Sequence, residues 1–127
     1  MQNPMSLIGT FIKQGDPQFL KGILDKIDLL KFGGDMMQQA CAYGKGEIVD
    51  LLLAAGVDAD RHMADGWGPC HIACLNGHAD VVRKLVAAGA DVHREAADGS
   101  TPAGLAEAEG HAGVLEALGH AANFATL

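Results

Sequence analysis

A chain of 127 residues has length for one domain around one continuous core. At 49% hydrophobic and 20% charged residues it falls outside the disordered class, and 17 glycines against 5% aromatic residues require many tight turns around small aliphatic side chains. A formal charge of −7 repels phosphate backbones and anionic bilayers, so neither nucleic acid nor a membrane is expected as a partner.

The first apolar stretch, Met5 to Ile12, is too short to cross a bilayer and lacks the basic flank and small-residue cleavage site of a secretory signal. Asp16-Pro17 then marks a helix start, with Asp as the cap and Pro in the first turn. Phe19, Leu20, Ile23 and Leu24 follow on one helical stripe. That stripe recurs as Ile48, Val49, Leu52 and Leu53, as Val81, Val82, Leu85 and Val86, and in part as Val114, Leu115 and Leu118.

Glycines keep step with the stripe. Gly44, Gly77 and Gly110 are spaced by 33 residues, as are Gly56 and Gly89, and Gly66 and Gly99; Gly15 precedes Gly44 by only 29, a shortened linker. The segment Asp65-Gly66-Trp67-Gly68-Pro69-Cys70-His71-Ile72-Ala73 returns as Asp98-Gly99-Ser100-Thr101-Pro102-Ala103-Gly104-Leu105-Ala106. Each unit therefore reads as an Asp-Gly turn, a short helix ending near the middle glycine, and a second amphipathic helix ending at a glycine suited to a left-handed cap.

This pattern resembles the ankyrin repeat. The third unit carries Gly66, Pro69, His71, Ala73, Gly77, His78, Val81, Val82, Leu85, Gly89, Ala90 and Asp91 at the family's positions. The resemblance implies an all-α solenoid of about four helix-turn-helix repeats joined by hairpin-like β-turn loops. The repeats fall at roughly 4–31, 32–62, 63–95 and 96–122 of a single domain, 1–127, with a short C-terminal tail. The first unit lacks the family's Thr-Pro-Leu-His string, the second has Asp35-Met36-Met37-Gln38 there, and the fourth has Gly104 for the histidine. Such departures suit end units, which have one face without a neighbour. The tail from Gly119 to Leu127 is expected to fold back, with Phe124 and Leu127 covering the last helix pair.

Cys41, Cys70 and Cys74 are an odd set with no paired framework, which places the chain where thiols stay reduced, in the cytoplasm or the nucleus. Cys70, His71 and Cys74, with His62 and His78 nearby, have the spacing to share a zinc ion on one helical turn. The repeat register offers a packing alternative. Cys41 and Cys74 stand where the family has alanine between stacked helices and Cys70 where it has leucine, and a buried free cysteine packs as a small hydrophobe. Packing is the expectation, with no metal.

His71 matches the family histidine that hydrogen-bonds within and between turns, and no nucleophile or orienting acid accompanies it. Gly44-Lys45-Gly46 lacks the ending of a phosphate loop. No catalytic residue and no cofactor are expected, and the chain reads as a non-enzyme.

The resemblance further implies a concave groove, lined by turns and first helices, that receives another protein. Carried over position by position, its variable surface is Lys13, Gln14, Tyr43, Trp67, Leu75, Asn76, Ser100 and Glu109, with Arg61, His62, Met63 and Asp65 at the neighbouring turn tip. Contact is expected at Tyr43, Arg61, His62, Met63, Asp65, Trp67, Leu75, Asn76, Ser100 and Glu109. Trp67 has two readings, an exposed anchor for the partner or a ring packed on a neighbouring turn near Gly34 or Ser100. The expected role is an adaptor or scaffold, monomeric when free; the alternative is a stoichiometric inhibitor of a partner enzyme or toxin.

Overall fold

Helices follow one another in pairs through the computed structural model, which describes residues 9–10, 12–14, 17–26 and 28–126. Helix α1 (Pro17–Ile23) runs into a 3-10 turn (Leu24–Lys26). Then come α2 (Leu29–Tyr43) with α3 (Gly46–Ala54), α4 (Pro69–Asn76) with α5 (Ala79–Ala87), and α6 (Pro102–Ala108) with α7 (Ala112–Thr126). No strand occurs among the described residues. Pro17 opens its helix as expected, while its proposed cap, Asp16, lies outside the described residues.

The caps explain where the first helix of each pair begins and ends. At α2 the Asp28 carboxylate accepts from the amides of Leu30 and Lys31, at 3.1 and 3.3 Å. At α6 the Thr101 hydroxyl accepts from the Gly104 amide at 3.1 Å. Proline occupies the first turn of both α4 and α6. Gly44 and Gly77 close α2 and α4 in the left-handed region, with φ of 69° and 77°, and turn the chain directly into the next helix.

Packing repeats with the same period. Helices α2, α4 and α6 stack in one layer and α1, α3, α5 and α7 in a second, and within each pair the two layers meet. Ala40, Ala73 and Ala106, spaced by the repeat length, are all fully buried in the inner layer, where small side chains let neighbouring helices approach closely. Between the layers lie Ile48, Val49, Leu52, Val81, Val82, Leu85, Val114 and Leu118. Each such aliphatic side chain contributes about 1.5–3 kcal/mol by leaving water. Of the expected apolar stripes these side chains and Leu20 form the core, Leu24, Leu53, Val86 and Leu115 pack against it half-buried, and the side chains of Phe19 and Ile23 lie outside the described ones.

Two segments depart from the repeat as read. Where register places a turn at Gly33-Gly34, α2 instead continues upstream to Leu29, making it 15 residues long against 8 for α4. The physical cause is an unbroken apolar stripe: Leu29 and Phe32 pack against the core ahead of the buried Met36, Met37, Ala40 and Cys41. Gly33 belongs to that stripe because Val57 comes within 3.0 Å of where a Cβ would stand. At the other end, the backbone does not fold back after Gly119. Helix α7 runs on to Thr126, and Leu127 lies outside the described residues.

Candidate groove of the inner helices

The turns preceding α4 and α6 are built alike and joined. In the first, the Met63 amide donates to the Trp67 carbonyl at 2.8 Å, Gly66 donates to Met63 at 2.9 Å, and Asp65 accepts from the Trp67 amide at 3.0 Å. Ala96, Gly99, Asp98 and Ser100 repeat these bonds. The Ala97 amide then donates to the Asp65 carbonyl at 2.9 Å, so one tip is fastened to the next. Gly66 has no substitute there: its φ is +87°, and a Cβ would stand 3.0 Å from the Cα of Ala96.

His71, almost fully buried, binds this turn to its neighbour. Its Nδ1 accepts from the Gly68 amide at 3.3 Å, so Nε2 carries the proton and donates to the Ser100 carbonyl at 3.1 Å. With both nitrogens committed to backbone, the ring is not free to act as a base. His78 and His111 do related work at the other end of the inner helices. Their Nε2 atoms donate to the carbonyls of Ala42 and Leu75, each at 3.0 Å, tying each repeat to the one before.

The cysteines are core atoms. Cys41, Cys70 and Cys74 are buried and free, and the Cys70 and Cys74 sulfurs lie 3.9 Å apart. Burial, with the neighbouring Cys70, pushes the Cys41 thiol up to about 12. The hydrogen bond to Cys70, then burial, also raises the Cys74 thiol. Thiols so reluctant to ionise are poor nucleophiles and poor metal ligands. Among the described residues no group of three or more His, Cys, Asp or Glu is placed to hold a metal ion.

The expected contact residues separate into two rows. Trp67 and Ser100 stand one repeat apart before α4 and α6, whereas Tyr43, Asn76 and Glu109 stand one repeat apart at the far ends of the inner helices. Helix α4, with 8 residues, sets the distance between the rows at about 12 Å. Leu75 lies half-buried beside Asn76, whose amide donates to the Ile72 carbonyl at 2.8 Å. Tyr43 is 44% exposed and has the Lys13 ammonium over its ring at 5.9 Å.

At the tips, Arg61 is committed to the extended start of α2, where it donates to the Leu30 carbonyl at 3.1 Å. His62 accepts from Arg94 at 2.6 Å, and Met63 is 41% exposed. Trp67 is half-buried, its ring tilted over His71 at 5.5 Å between centroids. The Asp98 carboxyl is held below the usual carboxylate range by the Ser100 amide and hydroxyl, and the Trp67 side chain adds a further hydrogen bond to it. The indole therefore rests on its own repeat and on the next turn, and only part of it faces outward.

Between the rows lies a depression of about 370 Å³, lined by Asp35, Gln38, Gln39, Ala42, Tyr43 and Ile72. Of these only Tyr43 is among the contact residues read from sequence. Register alone held a signal for the others, since Gln39 and Ile72 occupy one repeat position on adjacent inner helices. With six side chains from two stacked helices, the hollow can take a partner's side chain between an apolar floor and polar walls.

A family model described as ankyrin repeats, in three copies, matches residues 10–96 and residues 37–126. No curated protein matches the chain.

Proposed function

Because the chain belongs to the ankyrin-repeat family, we propose that it is a non-enzymatic adaptor or scaffold that holds another protein in the groove of its inner helices. Ankyrin repeats are generally protein–protein interaction modules, and the family is typically non-enzymatic. The observation that supports this reading is the open hollow between α2 and α4, with Tyr43 exposed at its rim. The flanking contacts are Leu75, Asn76 and Glu109 along the inner helices and Arg61, His62, Met63, Asp65, Trp67 and Ser100 along the tips. A standard interface buries about 800 Å² on each side, which two adjacent repeats and their tips can supply. Free buried thiols fit work in a reducing compartment, the cytoplasm or nucleus.

Affinity capture with paired variants tests this. Tyr43→Ala should weaken retention of the captured protein by roughly tenfold or more, as expected of an aromatic near the centre of an interface. Arg83→Glu, on the exposed side of α5, should leave retention unchanged. The reverse pattern would remove the groove from the account. Assaying the captured protein with and without this chain separates a scaffold, which leaves its activity intact, from a stoichiometric inhibitor.

A further inference from the structure

Resting on the groove reading, we propose that the bound segment of the partner is basic, and that it seats an arginine or lysine side chain in the hollow between α2 and α4. Asp35 is exposed at one end of this hollow, and no cation among the described residues pairs with it. The ion pairs among the described residues are Lys84 with Asp50 and Arg94 with Asp60, both away from the hollow. Gln38 and Gln39 add amide oxygens that accept from an ammonium or guanidinium. Ala42 and Ile72 give the apolar surface along which the methylene stem of such a side chain lies. Each part of a long cationic side chain thus has a matching wall.

On the inner helices beyond α2 the charge has the same sign. Neither α4 nor α6 contains a lysine or arginine, and Glu109, one repeat beyond Asn76, is exposed at the end of α6. The Tyr43 ring has the Lys13 ammonium over one face, so the ring already serves as a cation contact at this rim. The opposing charges near this end are Lys13, Lys31 one helical turn before Asp35 on α2, and Arg61, whose guanidinium lies against Gly34. Against these stand the unpaired Asp35, Glu109 and the net charge of −7, which favours approach of a basic segment over an acidic one.

The test uses the full chain and three pools of short peptides, with lysine or arginine, glutamate or aspartate, or glutamine or serine fixed at the central position. Affinity and backbone-amide shifts are recorded for each pool. The basic pool should bind at least tenfold more tightly than the acidic pool, shift amides of α2 and α4 around Asp35, Tyr43 and Ile72, and weaken with added salt. Asp35→Lys should reverse the preference, and Asp35→Asn, which keeps the size of the side chain, should weaken the basic pool several-fold. Thermal melts confirm that both variants remain folded. If the acidic or neutral pool is preferred while the same amides shift, the basic partner is wrong and the groove stands. If the basic pool shifts only amides outside α2 and α4, the groove reading falls with it. Insensitivity to Asp35→Lys, or no binding by any pool, would also overturn the proposal.

Discussion

Replacing His71 with alanine should cost this fold about 3–5 kcal/mol, a large share of what a domain of this size has to lose. The Gly68 amide is buried and has the imidazole Nδ1 as its acceptor, so truncation leaves a donor unsatisfied at about 1–3 kcal/mol. The Ser100 carbonyl keeps its bond from the Ala96 amide, so losing the ring there removes only the net worth of one hydrogen bond, about 0.5–1.5 kcal/mol. A cavity under the Trp67 ring accounts for the remainder. Urea titration of His71→Ala beside Ser100→Ala measures this, because the second substitution keeps the carbonyl and should cost less than about 1 kcal/mol. A loss below about 1 kcal/mol for His71→Ala, or equal losses for both, would refute the bridging role.

Three other outcomes follow from the same geometry. Gly44→Ala and Gly77→Ala should destabilise the chain more than Gly56→Ala and Gly89→Ala. All four glycines have positive φ, but a Cβ at the first two would meet the rings of His78 and His111 at 2.5 and 2.7 Å, while nothing lies within 4 Å of the others. Thermal melts of the four variants give the order. Trp67→Ala should lower stability by about 1–2 kcal/mol, since the indole packs on His71 and bonds Asp98; an unchanged melting temperature would return the residue to the role of a free anchor. The third outcome concerns alkali. A thiol whose pKa is higher when folded is a better acid when unfolded, so Cys41's contribution is intact below about pH 9 and declines toward about pH 12. In denaturant titrations across that window, Cys41→Ala should decline less steeply than the parent chain.

Much of the architecture is legible in sequence because one physical requirement, covering each helix pair with the next, recurs every 33 residues. His71 is readable for the same reason: its position is defined by the turn it must satisfy. Gly33 and Gly34 misdirect, because register puts them in a turn and glycine itself suggests one. What decides the helix is the apolar stripe from Leu29 through Met36, together with the close approach of Val57 to Gly33. The hollow at Asp35, Gln38 and Gln39 was hidden for a different reason. It is formed by two helices whose residues are a full repeat apart, so it emerges only when Ile72 is set beside Gln39 and Tyr43. His78 and His111 were legible as loop residues, but their hydrogen bonds back to Ala42 and Leu75 depend on stacking.

The central claim, that a protein partner docks on the inner helices, is tested most directly by photo-crosslinking from single positions in native lysate. A photoreactive residue at Gln38, in the hollow, should yield a discrete protein adduct, and the same residue at Arg83, exposed on α5, should yield none. Adducts from Arg83 alone, equal yields from both positions, or no adduct from Gln38 would contradict it.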